Sequence, residues 1–246
     1  MEFDAEAIEI RDYRDEDKVQ MLTVKLRVPL DQKFEYKAGQ YMMLAMDGFT
    51  LRSNSNALKW TSYSIASSPH QTGMVEFCLK IKETGGFTQF ARDNLKLGTK
   101  LHLKGPFGNF VNENPMPGII LVAAGSGIAP IIGMLRWLLN SGCKSEIQLV
   151  YGFRNMNYFV YKEELEQYSK SQHNFTLIPT LSRPDAKWQG RKGYVQDALK
   201  DLRIDDPHDA QAFICGLPIM VEEVRKVLHE KGLTAHNVHS EQWAGA

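Results

Sequence analysis

Cysteine is scarce in this chain: Cys78, Cys143 and Cys215 are the only three in 246 residues, widely spaced and without a CxxC pair. An odd count in that arrangement argues against a disulfide framework, a structural zinc site or a cysteine-held iron–sulfur cluster. No metal site is expected, and any redox work needs a bound organic cofactor. Net charge is missing too, 29 basic residues balancing 29 acidic ones, which leaves no electrostatic footprint for nucleic acid or an anionic membrane surface. The opening segment "MEFDAEAIEIRDYRDEDK" lacks an apolar core and does not read as a secretory signal, so a cytoplasmic protein is expected. What is present is an ordinary globular balance, 43% hydrophobic and 24% charged, which argues for a folded core rather than disorder. The length suits one large domain or two of ordinary size.

One stretch, Ile119 to Leu139, is apolar enough to raise the question of a membrane span, but Gly125, Gly127, Pro130 and Arg136 interrupt it. "GIILVAA" reads as a strand buried on both faces. Pro130 then falls in the first turn of a helix whose apolar face is Ile131, Met134, Leu135 and Leu138. Strand, glycine turn and helix make the better parse. The glycines let a ligand approach the backbone, and free N–H groups at a helix start favour a phosphate. A glycine turn of this kind also occurs for packing alone.

Downstream, strands at "EIQLVYG", "NFTLIPTL" and "AQAFICG" alternate with helices at "YKEELEQYSKS", "VQDALKDL" and "IMVEEVRKVLHEKG". This alternation predicts a parallel sheet covered by helices, with ligands beyond the carboxyl ends of its strands. Gly152-Phe153-Arg154 stands where a Rossmann domain would carry an acid for the ribose, so a different nucleotide fold is expected. The first half has another texture: "VQMLTVKLRV", "QYMMLAM", "TSYSIAS", "MVEFCLKI" and "KLHLKGPF" read as short strands, with one helix at "FTQFARDNL". Such spacing predicts a closed antiparallel barrel. "GPFGNFVNENPMPG" reads as a linker, giving an expected division into residues 1–114 and 115–246.

Barrel first and nucleotide sheet second, with "AGQY", "SYSIAS", "GGFT", "GPFGNF", "GSGIAP", "YGFR", "CGLP" and a closing Glu241-Gln242-Trp243 in that order, resembles the ferredoxin–NADP reductase superfamily of flavoproteins. The similarity covers nearly the whole chain. It implies a Greek-key flavin-binding β-barrel followed by an α/β NAD(P)-binding domain. It assigns Tyr63, Ser64, Ile65, Ala66 and Ser67 to the flavin, with Tyr63 on the ring and the Ser64 hydroxyl at the nitrogen that receives hydride. Gly85, Gly86, Phe87 and Thr88 would bind the flavin's phosphates, and Trp243 would cover the face that nicotinamide must occupy. Gly125, Gly127, Pro130, Arg154, Cys215 and Gly216 would hold the nicotinamide nucleotide. Ser64, Cys215 and Glu241 are the implied catalytic residues. Bland readings remain beside these: barrel packing for Tyr63, a helix cap at Thr88, a buried small hydrophobe at Cys215, an edge cap at Trp243.

One departure bears on the cofactor. The family usually has arginine two residues before the flavin tyrosine, and this chain has Thr61; Arg52 or Lys59 would have to substitute from the preceding loop. FAD is expected, with FMN the alternative, because a hydroxyl does not replace a two-bonded guanidinium on phosphate. Ser182, Arg183 and Lys192, followed by Tyr194, are similar to the family's 2′-phosphate contacts and its adenine-stacking tyrosine, which favours NADPH over NADH. The implied reaction passes hydride from NAD(P)H to the flavin and electrons onward to a separate acceptor such as ferredoxin, flavodoxin or an oxygenase component. Two alternatives stand: a reductase that uses flavin as a diffusible substrate, and a flavin-binding electron-transfer subunit of a larger complex.

Overall fold

Alternation of apolar and polar side chains shapes the first half of the chain. A computed structural model describes residues 1–51, 54–82 and 85–242. It divides into two units, Met1–Val111 with Ile132–Asn140, and Asn112–Ile131 with Ser141–Ala246. The first unit contains β1 (Glu2–Asp15), β2 (Lys18–Arg27), β3 (Tyr41–Ala45), β4 (Thr50–Leu51), β5 (Asn54–Leu58), β6 (Thr61–Ser64), β7 (Met74–Lys80), helix α1 (Phe87–Asn94) and β8 (Lys100–Phe107). Six strands join in the order β6-β3-β8-β1-β2-β7, every pair antiparallel. β3 lies beside β8 and β8 beside β1, the Greek-key arrangement. An Ile65–Phe77 bridge carries the end of β6 onto β7 and closes the barrel.

Every second residue points inward. Phe3, Ala5 and Ala7 of β1, Leu22, Val24 and Leu26 of β2, and Val75, Phe77 and Leu79 of β7 fill one core with Met42, Leu44, Leu101 and Leu103. Each large apolar side chain buried this way contributes about 1.5–3 kcal/mol. The five expected strands and the helix are present. β1 and the small β4–β5 hairpin were not anticipated.

In the second unit, β9 (Gly118–Ala124) runs into a 3₁₀ turn at Gly125–Gly127 and then helix α2 (Ile128–Asn140), whose residues Ile132–Asn140 belong to the first unit. There follow β10 (Glu146–Phe153), α3 (Lys162–Ser171), β11 (Phe175–Leu181), β12 (Arg191–Lys192), α4 (Val195–Lys200), β13 (Ala210–Gly216), α5 (Pro218–Glu230) and β14 (Val238–Gln242). The sheet is parallel with order β12-β11-β10-β9-β13-β14. Strand order therefore reverses between β9 and β13, the position where such sheets bind ligands. Ile120, Val122, Val150, Ala212 and Ile214 pack on one face against Val195 and Leu199 of α4 and Val221, Val224 and Leu228 of α5. Tyr151 and Phe153 point to the other face and contact the ring of Phe159. Among the described residues no helix is long and apolar enough to cross a membrane.

Candidate functional site

Within the second unit, the expected nucleotide residues gather at the carboxyl ends of the strands. Cys215 is the register partner of Ala123 on one side and of Glu241 on the other. The two side chains read from sequence as catalytic in this half therefore sit on neighbouring strands at one level, and Cys215 is fully buried. Gly216 follows as the last residue of β13, and Leu217 leads into α5.

The glycine turn after β9 separates into two cases. Gly125 has φ +55° and a Cβ built there meets nothing within 4 Å; this is open space beside backbone, suited to an approaching phosphate. Gly127 is different, because its Cβ would lie 2.2 Å from the carbonyl oxygen of Cys215. Here the close approach is by the chain itself. The Ile128 N–H closes the turn on the carbonyls of Gly125 and Ser126, and Pro130 is the third residue of α2.

Further along the same edge, the Ser182 N–H donates to the Phe153 carbonyl at 3.0 Å and the Arg183 N–H to the Arg154 carbonyl at 2.8 Å. Lys192 pairs in register with Leu181. Ser182, Arg183, Lys192 and Arg154 are thus brought to adjoining strand ends, and all four are exposed. The Arg154 guanidinium lies 5.5 Å from the centre of the Tyr158 ring. Tyr194 is 62% exposed and suited to stacking; it is the N-cap of α4, and its N–H donates to the carboxylate of Asp197 in the helix's first turn.

In the first unit, Tyr63 and Ser64 end β6, paired with Met42 and Tyr41 of β3. Tyr63 belongs to the barrel core, with its ring centre 5.5 Å from that of Phe87. Burial pushes its hydroxyl pKa well above the ordinary tyrosine value. Ser64, Ile65, Ala66 and Ser67 are buried in turn. Gly85 and Gly86 have φ of +68° and +93° and remain exposed, with no atom within 4 Å of a Cβ built on Gly85. Gly86 is the N-cap of α1, which has no side-chain cap, so backbone donors are left at the helix start. Phe87 and Thr88 offer only backbone there: the Phe87 ring is in the core, and the Thr88 hydroxyl accepts the Lys82 N–H at 3.2 Å.

Other motifs hold this segment in place. The Gln40 side chain donates to the Gly108 carbonyl and the Gln40 carbonyl accepts the Ile65 N–H, so "AGQY" and "GPFGNF" support the chain after Ser64. Thr61 opens β6 opposite Leu44, and the Lys59 ammonium lies 5.4 Å over the Phe49 ring. Arg52 and Trp243 lie outside the described residues. Sequence reasoning missed Tyr36, Glu76 and, as a functional residue, Arg136, which form a polar cluster around Ala66 and Ser67, with Glu76 and Arg136 buried and Tyr36 half-buried. A lone arginine in an apolar helix was its one signal, since a buried cation demands a partner.

Both halves match known domains: residues 15–112 an oxidoreductase FAD-binding domain and residues 121–226 an oxidoreductase NAD-binding domain. The open glycine turns at Gly85–Gly86 and Gly125 fit the phosphates of such cofactors. The chain is 30% identical over 249 residues to the phenol hydroxylase P5 protein of Acinetobacter pittii, covering 100% of this chain and 66% of that protein. Other curated relatives are named as reductase or electron-transfer components of oxygenases. The chain spans just under two thirds of the length of the first of these relatives. It is also 30% identical over 221 residues to ferredoxin–NADP reductase B of Sorangium cellulosum, covering 85% of this chain and 86% of that one. Its fold is shared with a ferredoxin–NADP⁺ reductase from Neisseria gonorrhoeae solved with bound FAD and NADP, at TM-score 0.82 and 18% identity, over 98% of each chain. With an FAD-binding and an NAD-binding domain in this order and a reductase relative matched over most of its length, the chain belongs to the ferredoxin–NADP reductase family of FAD-dependent NAD(P)H oxidoreductases.

Proposed function

We propose that this protein oxidises NAD(P)H, with NADPH preferred, and passes the electrons through FAD to a separate acceptor such as an oxygenase component, a ferredoxin or a flavodoxin. The register of Cys215 with Glu241, next to the open turn at Gly125, carries this reading. It gathers a buried thiol, a carboxylate and the glycine turn at the strand-order reversal. The bound flavin supplies what no side chain here can, uptake of a hydride and release of electrons singly. The protein's part is placement.

On this reading the Gly86 N-cap and the start of α1 hold flavin phosphate by backbone N–H groups, the Gly85 N–H being donated to Gln89 Oε1, and Tyr63 and Ser64 fix and polarise the ring. Gly125 and the start of α2 hold the nucleotide's pyrophosphate. Arg183 and Lys192 bind the 2′-phosphate, with Tyr194 on the adenine, and Arg154 adds a further cation at this edge. Cys215 and Glu241 set the position and the charge environment of the nicotinamide. The oxygenase-component acceptor is supported by the names of several relatives. A cytoplasmic location is part of the same proposal.

The test is a visible spectrum of the purified protein followed by anaerobic titration with NADPH and NADH separately. Flavin bands that bleach with about one equivalent of nucleotide, at lower concentration for NADPH, are the expected result. Equal response to the two nucleotides would remove the assignment of Arg183 and Lys192 to a 2′-phosphate. Thr61 in the usual arginine position favours one second reading, flavin as a diffusible substrate. A colourless protein that oxidises nucleotide only with added flavin would select it.

A further inference from the structure

Residues 65–67 directly follow Ser64, and four of their polar groups are held from outside the segment. The Ile65 N–H donates to the Gln40 carbonyl at 2.9 Å and the Ala66 N–H to the Glu76 carbonyl at 2.8 Å. The Ser67 hydroxyl accepts the Glu76 N–H at 3.0 Å and lies 2.8 Å from the Tyr36 hydroxyl. The Ala66 carbonyl accepts from Nη1 of Arg136 at 2.7 Å, and the same nitrogen lies 2.8 Å from Oε2 of Glu76. The side chains of Arg136 and Glu76 are only 7% and 3% exposed. Helix α2 lies so close to this segment that a Cβ on Gly133 would stand 2.9 Å from the Ile65 carbonyl oxygen. All of these residues belong to the first unit.

A fully buried ion pair is a poor source of stability, because desolvation of both charges offsets most of their attraction. What it supplies is direction: one guanidinium nitrogen fixed by a carboxylate can hold a carbonyl at one place only. Glu76 grips the segment through its backbone on both sides and orients the arginine with its side chain. Arg136 in turn pins the peptide two residues beyond Ser64. We propose that the Glu76–Arg136 pair is a positioning device for Ser64, aiming its hydroxyl by locking residues 65–67 against helix α2. This role rests on the proposed function, in which Ser64 contacts the flavin.

The test compares the wild-type flavoprotein with the double variant Glu76→Met/Arg136→Met, which removes both charges together and so strands neither. Three quantities are read: the thermal midpoint, hydrogen exchange at the Ala66 amide, and the rate of flavin reduction with the Michaelis constant for the nucleotide. The double variant is expected to melt within a few degrees of wild type or above it. Its Ala66 amide keeps its bond to the residue-76 carbonyl but should exchange about tenfold faster, because the segment opens more often once the Ala66 carbonyl loses its charged donor. Flavin reduction at saturating nucleotide should slow about tenfold, as misplacement of a positioned group implies, while the Michaelis constant is unchanged. Wild-type exchange and rate in the variant would overturn the proposal, and so would a collapse of the melting temperature, which would make the pair a structural prop. A wild-type protein that neither holds flavin nor oxidises nucleotide would overturn the functional reading instead. The exchange measurement would then decide separately whether the pair fixes the segment.

Discussion

Gly125 and Gly127 stand two residues apart and are glycines for different reasons. At Gly125 the constraint is backbone conformation, φ +55°, with free space around it. At Gly127 it is space, since the Cys215 carbonyl oxygen would lie 2.2 Å from an added Cβ. Gly125→Ala is expected to cost about 1 kcal/mol through the positive φ and to raise the Michaelis constant for the nucleotide, because the new methyl group enters the open approach. Gly127→Ala forces β13 and the helix start apart, an overpacking worth about 1–3 kcal/mol. It moves Cys215 and should lower the turnover rate more than it raises the Michaelis constant. Urea unfolding and steady-state kinetics on the two variants check both, and the reverse order in either measurement would undo the distinction. Sequence alone reveals the pattern "GSG" but not this division, because the atom that crowds Gly127 comes from a strand 88 residues later.

Secondary-structure elements whose strands are buried on both faces could be read directly: β9, β10 and β13 are near-continuous apolar runs. The missed strands are those whose partners are remote or whose faces are polar. β14 carries a single buried residue, Val238, and packs His239 on Phe213 of the neighbouring strand. β1 looks merely acidic, yet its acids meet bases on the neighbouring strand: Glu2, Asp4 and Glu6 pair in register with Lys104, His102 and Lys100 of β8. Opposite charges placed this way stabilise a sheet, but the partners lie about a hundred residues away in sequence. The same ladder predicts a pH dependence. His102 Nδ1 is 2.7 Å from Asp4 and Nε2 is 3.1 Å from Asp47. Partial burial lowers its pKa, but hydrogen bonds to Asp47 and Asp4, and their charges, outweigh this and leave it above the ordinary histidine value. A raised folded-state pKa means that the stabilisation is complete below about pH 6.5, the ordinary value, and is lost as pH rises through the folded value. Wild type should therefore melt above His102→Gln at pH about 6, and the gap should shrink by pH about 8. A gap independent of pH between those limits would show that the imidazolium charge plays no part.

At the scale of the whole chain, neither unit is continuous in sequence, because Ile132–Asn140 belongs to the first unit although it lies beyond the linker. We propose residues 1–114 and 115–246 as the division along the chain, and that division separates the barrel from Arg136. Cys78 reports the consequence. On β7 the residues Val75, Phe77 and Leu79 fill the barrel core, so Glu76 and Cys78 share the outer face. Cys78 is nonetheless only 2% exposed. Burial, with the nearby Glu76 charge, pushes its thiol pKa far above the ordinary range against the opposing pull of Arg136. A face that is outward from the barrel yet dry must be covered, and the contacts of Gly133 and Arg136 put helix α2 there. In the full chain Cys78 should resist a thiol reagent under native conditions, while the half-buried Cys143 reacts. A fragment of residues 1–114, whose one cysteine is Cys78, should react readily even where circular dichroism shows its strands formed, because its thiol regains an ordinary pKa of about 8.5 once hydrated. Continued protection in a folded fragment would mean that the barrel's own loops, and not α2, cover this face.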